Sequence, residues 1–164
     1  MTYISLQGQK MGVEIEHKFL VNKTLLPKLT NGYIIKQGYI QTVGVNTVRV
    51  RLQNKEAFLT LKSSSKGCSR LEFEYAVPLE DAEQMLENLC QKPFVDKTRY
   101  LIEHEGHTWE LDVFEGENKG LIVAEIELKS EDETFSLPHW VTQNVTSDKR
   151  YANSNLIKHP YLNW

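Results

Sequence analysis

Six stretches of this chain alternate in polarity and carry two like charges two positions apart: Glu14/Glu16, Arg49/Arg51, Glu72/Glu74, Lys97/Arg99, Glu110/Asp112 and Glu125/Glu127. Lys18 and Lys62 stand in phase with such rows. Successive side chains of a strand point to opposite faces, so each pair shares one face of one strand. Two carboxylates so placed lie roughly 6.5–7 Å apart and repel unless a cation stands between them. A solvated sheet face normally mixes signs with neutral residues. Rows sorted by sign demand either that acidic strands lie against basic ones or that the rows share a ligand.

The first row sits in Val13–Val21 (V-E-I-E-H-K-F-L-V), predicted as a strand with Val13, Ile15, His17 and Phe19 on its other face. Further strands are predicted over 33–42, 47–53, 57–62, 70–77, 96–104, 107–115 and 121–129, mostly joined by short turns with Gly, Asn or Pro. Gly38 inside the second implies a bulge, a bend or a close backbone approach. Between the fifth and sixth, residues 79–90 change to a helical period, with Leu79, Ala82, Met85, Leu86 and Leu89 on one face as core packing. Asp148 opens a short predicted helix through about residue 157. Eight strands with short connections specify an antiparallel sheet that curls or closes.

Length and charge bound the rest. A chain of 164 residues makes one ordinary domain, here 11–164, with residues 1–10 set aside as an N-terminal extension or remnant. A net charge of −3 gives no basic field for nucleic acid. No apolar run approaches the ~20 residues that span a bilayer, and the first residues lack the basic and apolar regions of a signal peptide. Cys68 and Cys90 have no motif spacing and read as free thiols in a reducing cytoplasm. A homodimer is left open.

The charged rows allow two geometries. Pointing outward, they decorate an ordinary barrel or sandwich, where each exposed ion pair contributes only ~0–1 kcal/mol. Pointing inward, they make a charged tunnel whose apolar outer face lies under helices and loops. Such an interior is costly unless its charges are paired or ligated. A polyanion with divalent metal suits separate rows well: arginines grip phosphate oxygens in bidentate fashion, lysines add point charges, and carboxylates hold Mg²⁺ or Mn²⁺.

Glu14-Ile15-Glu16-His17-Lys18 fits an E-x-E-x-K signature, followed by Q-G-Y (37–39), T-V-R-V-R (47–51), L-T-L-K (59–62), E-F-E-Y (72–75), K-T-R-Y (97–100), A-E-I-E-L (124–128) and R-Y (150–151). This ordered set resembles the triphosphate tunnel metalloenzymes, also called the CYTH superfamily, and in particular the short bacterial members that act as inorganic tripolyphosphatases. The resemblance implies the inward geometry: an α+β fold with an eight-stranded antiparallel closed β-barrel, a few flanking helices and a C-terminal plug helix. It implies that Lys18, Arg49, Arg51, Lys62, Lys97 and Arg99 hold a small-molecule triphosphate, joined by Arg150 from the plug helix. Glu14, Glu16, Glu125 and Glu127 would hold one or two divalent cations, Mg²⁺ or Mn²⁺. Glu72, Glu74, Glu110 and Asp112 would support the metal through water or orient the basic residues. Lys18 and Tyr39 fill the positions of a Lys–Tyr pair proposed to activate water. His17 departs from the pattern, since close relatives often carry Arg there; alternation turns it away from the tunnel.

The implied reaction is metal-dependent hydrolysis of tripolyphosphate to pyrophosphate and phosphate. The rivals are an adenylate cyclase, a thiamine or nucleoside triphosphatase on the same tunnel, and a non-catalytic polyphosphate-binding module.

Overall fold

A computed structural model of the chain describes residues 12–164, so the expectation for residues 1–10 lies outside the described residues. Its strands are β1 (Val13–Val21), β2 (Tyr33–Ile40), β3 (Thr47–Gln53), β4 (Glu56–Lys62), β5 (Ser69–Ala76), β6 (Val95–His104), β7 (His107–Phe114), β8 (Ile122–Glu127) and β9 (Val141–Asn144). The helices are α1 (Leu79–Asn88) and α2 (Asn153–Leu156). The strand order is β5-β4-β3-β2-β6-β7-β8-β1-β9, and an additional β5–β1 pairing closes the first eight into an antiparallel barrel.

Closure depends on β1 using its edge twice. Its first residues pair with β5, matching Val13 to Leu71 and Glu14 to Arg70. Its last residues pair on that side with β9, matching Phe19 to Asn144 and Val21 to Val141. Strand β9 went unread in the sequence because V-T-Q-N is too short to show a period and three of its four residues are exposed. Elsewhere the predicted bounds shift by one or two residues, as at β2, which ends at Ile40.

The charged rows point inward. Outside the barrel, α1 and the turn just after it set Ala82, Leu86 and Cys90 over Val50 and Ala57. The helix and the residues just after it approach Gly38 so closely that an added Cβ would lie 2.8 Å from Cys90 Cβ and 2.9 Å from Leu86 Cδ2. Close approach, rather than a bulge, therefore explains this glycine. The expected apolar stripe is narrower than its period suggested: Leu79 and Leu89 stay exposed, because α1 stops at Asn88 and both residues lie at its ends. A second outer layer packs Trp109, Leu111 and Ile126 against Phe19 and Trp140. His17 belongs to this outer side, 5.5 Å from the Phe135 ring between centroids.

The barrel's far end is capped by apolar residues. Tyr39, Val95, Phe114 and Val123 share the inward phase of their strands and pack against Tyr151, Leu156 and Ile157. The single helix expected from Asp148 is split in two. Asp148 accepts from the Arg150 backbone N–H at 3.1 Å to cap one 3-10 turn, Ala152 is extended, and α2 follows. The break has a packing reason. At 3.6 residues per turn, Tyr151 and Leu156 in one helix would diverge by about 140°, whereas here both are buried in one cluster.

Candidate functional site: a charged cavity inside the barrel

Inside the barrel lies a cavity of about 600 Å³, lined by inward residues of all eight strands and by Ala152, Asn153 and Ser154 of the C-terminal segment. Strand alternation places the side chains, and antiparallel register decides which rows meet.

Strands β3, β4 and β5 bring the first basic group together. Arg49 Nη2 donates to Glu74 Oε2 at 3.1 Å and to Thr60 Oγ1 at 3.2 Å. Arg51 Nη2 reaches the same carboxylate at 3.3 Å. Burial pushes the Glu74 carboxyl up, but Arg51 and Arg49 outweigh it and hold it low. Even so, Arg49 Nε and Arg51 Nε are buried and have no hydrogen-bond partner among the described residues. A buried donor left unmade costs ~1–3 kcal/mol. Two of them, on neighbouring inward arginines of the cavity wall, mark a place built for an acceptor.

Lys62 bridges two acidic rows. Its Nζ lies 2.9 Å from Glu14 Oε1 and 2.7 Å from Glu72 Oε2. Glu14 also accepts from Arg70 Nε at 2.7 Å. Burial alone would raise the Glu14 carboxyl; Lys62 and Arg70 together hold it far below the usual carboxylate range.

The opposite wall is built on Asp112, which is fully buried behind the lining. Asp112 receives Arg99 in a fork, Nε to Oδ1 at 2.7 Å and Nη2 to Oδ2 at 2.8 Å, and Lys97 Nζ at 2.6 Å. Arg99 also pairs with Glu110 through Nη1 and donates to Glu125 Oε2 at 3.3 Å. Burial pushes the Asp112 carboxyl up and Arg99 and Lys97 pull it down, with the cations prevailing. Burial dominates at Lys97, whose ammonium is lowered, and at Glu110, whose carboxyl is raised. Asp112 thus aims two cations rather than facing the cavity itself.

Lys18 stands at the capped end of its row, 3.1 Å from Glu125 Oε1 and 3.5 Å from the Tyr151 carbonyl. Burial disfavours its ammonium, but Glu125 and Glu16 outweigh that and hold it charged. Tyr39 hydroxyl accepts from Gln37 Nε2 at 2.8 Å. Among the described residues, Lys18 and Tyr39 share no hydrogen bond.

Glu16 is the outlier. It faces Glu127 directly across the β1–β8 ladder, and the nearest cation among the described residues, Lys18 Nζ, is 3.8 Å away. Burial, then Glu125, then Glu14 push its carboxyl well above the ordinary value. Among the described residues no three acidic or imidazole side chains stand ready in ligating geometry, because Glu14 and Glu125 are drawn onto lysines and arginines. The donor chemistry nonetheless fits a hard divalent cation. Glu14 and Glu16 on β1 and Glu125 and Glu127 on β8 bring four carboxylates to adjacent strands of the cavity wall, and burial first, then Glu125 and Glu14, push the Glu16 carboxyl up further than Lys18 and Lys62 offset.

The one expected residue that the structure places elsewhere is Arg150. It is exposed on the outer surface, pairs with Asp148 at 2.7 Å and lies over the Trp164 ring at 5.2 Å. The split of the C-terminal helix turns it outward, and Asn153 takes the inward place, accepting from Lys97 Nζ at 3.3 Å. Arg150→Ala should therefore leave KM for a cavity ligand within about twofold of wild type, since exposed ion pairs contribute little; a tenfold rise would place this arginine in the site. Arg70, Gln37 and Asn153 were missed by the sequence reading. Arg70 had a signal: it stands in phase with Glu72 and Glu74, but its opposite sign hid it from a search for like-charged pairs.

The CYTH domain family matches residues 12–161. The inorganic triphosphatase of Acetivibrio thermocellus is 49% identical over 154 residues, covering 94% of this chain and 99% of the relative. The inorganic triphosphatase of Nitrosomonas europaea is 40% identical over 147 residues, covering 87% and 95%. A crystal structure of an inorganic triphosphatase superposes with a TM-score of 0.64 at 36% identity, covering 92% of this chain and 97% of that one.

Proposed function

This chain belongs to the CYTH domain family, and we propose from that premise that it hydrolyses inorganic tripolyphosphate to pyrophosphate and phosphate, with Mg²⁺ or Mn²⁺ bound in the barrel. The observation that carries this reading is the buried, unpartnered pair Arg49 Nε and Arg51 Nε in a cavity wall that also presents Lys18, Lys62, Lys97 and Arg99. Several fixed donors converging on one cavity suit an anion of several charges. The relatives named above act on inorganic triphosphate, and this chain shares most of their length.

In this reading Glu14, Glu16, Glu125 and Glu127 hold the divalent cation, which would supply charge neutralisation at the phosphoryl oxygens. Arg49, Arg51 and Lys62 position the triphosphate from one wall, and Lys97 and Arg99 from the other. Charge that develops on the leaving pyrophosphate meets donors already oriented by Asp112 and Glu74. Glu72 and Glu110 steady Lys62 and Arg99. Lys18 and Tyr39 are the proposed water-activating pair. In the free protein Lys18 keeps its proton because Glu125 and Glu16 hold it, so it acts as a base only once those carboxylates are neutralised. Tyr39→Phe removes the acceptor of the Gln37 amide and the hydroxyl that lines the cavity. Its kcat should fall by about 10²-fold, the lower end of acid–base contributions; unchanged turnover would take Tyr39 out of the mechanism.

The deciding experiment is phosphate release from tripolyphosphate, ATP and thiamine triphosphate with Mg²⁺ or Mn²⁺. Fast release from tripolyphosphate, lost on chelation, supports the proposal. Preference for an organic triphosphate would move the substrate. Conversion of ATP to cyclic AMP and pyrophosphate would make the protein a cyclase, and tight binding without turnover a binding module. No helix among the described residues is long and apolar enough to cross a membrane.

A further inference from the structure

Cations are distributed unevenly around the acidic wall. Glu14 has two, Lys62 on one side and Arg70 on the other. Glu16, two residues along the same row, has none closer than 3.8 Å among the described residues. Glu14 therefore carries more positive charge than one carboxylate needs. Lys62 is also tied to Glu72, whereas among the described residues Glu14 is the one acid within ion-pair distance of Arg70, Glu16 acting on it from farther off. Arg70 lies directly opposite Glu14 in the β1–β5 register, and its side chain lines the cavity at 30% exposure against 9% for Glu14. Only its Nε is engaged, at 2.7 Å; its Nη groups donate no hydrogen bond among the described residues. A guanidinium held by one nitrogen, with its other donors open in an anion cavity, has a second acceptor to find.

We propose that Arg70 is a shared residue that holds Glu14 in the free protein and turns its guanidinium to the phosphate chain when substrate enters, so that anion and divalent cation each favour the other's binding. The inference rests on the triphosphatase reading above and deepens it. The physics is competition. Cations that neutralise Glu14 also compete with a metal for its oxygens, and a carboxylate that occupies Arg70 competes with phosphate for its donors. An anion that takes Arg70 frees Glu14, and a metal that takes Glu14 frees Arg70. Such coupling is reciprocal by linkage.

The test measures each ligand alone, with no turnover involved. Tripolyphosphate affinity is measured calorimetrically in EDTA, and Mn²⁺ affinity by electron paramagnetic resonance without phosphate, for wild type, Arg70→Gln and Arg70→Lys. In Arg70→Gln, tripolyphosphate should bind about tenfold more weakly, the loss of one charge-assisted contact, while Mn²⁺ alone binds several-fold more tightly because Glu14 has lost a competitor. Arg70→Lys keeps the charge without the fork and should fall between on both measures. It also serves as the decisive variant if Arg70→Gln does not fold. Opposite movement is the signature, because simple damage to the site weakens both ligands. If both affinities stay within twofold of wild type, or fall together, Arg70 is only a clamp on Glu14 and the proposal fails. If wild type neither binds tripolyphosphate in EDTA nor binds or hydrolyses it in Mg²⁺, the triphosphatase reading fails instead.

Discussion

Arg99→Ala is expected to lose about 3–5 kcal/mol of folding stability, the range for removing one partner of a buried ion pair. Few residues here combine so many buried contacts. Arg99 holds Asp112 with two nitrogens, donates to Glu125 at 3.3 Å and pairs with Glu110. Asp112 has no access to solvent, so without Arg99 its second charged partner, Lys97, must neutralise it alone. Burial already lowers the Lys97 ammonium, which makes it a poor substitute. Phosphate release should fall by about 10²–10³-fold as a preorganised donor disappears. Urea unfolding with metal chelated checks the first effect, and tripolyphosphate turnover under stabilising conditions checks the second. An unchanged unfolding midpoint would mean that Lys97 and Lys18 suffice for the acidic wall.

Glu16→Gln should move stability and activity in opposite directions. The carboxyl is pushed up by burial, by Glu125 and by Glu14, so its ionised form works against the folded state in metal-free protein. The amide keeps the shape and removes the charge. Metal-free stability should therefore rise, and the sign fixes where. A carboxyl whose folded pKa is raised favours the fold in acid and loses that contribution as pH rises through the folded value. The two proteins should unfold alike in acid and diverge towards neutral pH, with the variant more stable. Turnover should fall by at least about 10²-fold if Glu16 helps to hold the divalent cation, since Lewis-acid assistance supplies several kcal/mol. Thermal melts in EDTA across pH, beside phosphate release in Mg²⁺, decide the matter. A variant that melts lower than wild type near neutrality would show that Glu16 is well paired. Sites that hold charge for a ligand commonly trade stability for function in this way.

The barrel was legible because its rows obey period two. The sequence period assigned Glu14, Arg49, Lys62 and Lys97 to single faces without any knowledge of which strands meet. It left open whether those faces pointed in or out. The apolar partners settle that in the structure, since Val50, Trp109 and Ile126 lie under α1 and the 135–140 loop on the outside. Register stayed hidden, because nothing in a strand's own alternation tells Glu14 that it will meet Arg70 rather than a carboxylate. The tail was misread for a related reason. Arg150 and Asn153 differ in direction because of one extended residue, Ala152, a tertiary choice that local helix signals do not carry. Strand β9 forms because β1 offers it an edge, not because V-T-Q-N favours a strand.

The double use of the β1 edge also sets the order of events during synthesis. Lys18 meets Thr146 across 128 residues of chain, and Glu16 meets Glu127 only after β8 exists. At ~5–20 residues per second, β1 waits on the order of ten seconds outside the ribosome without those neighbours. An unpaired strand is a template for sticking to other chains, and charged residues along it are the usual protection. Glu14, Glu16 and Lys18 leave the apolar row of β1 flanked by ions during that wait. The residues proposed to hold metal and phosphate in the finished barrel thus guard the nascent strand before the cavity has formed.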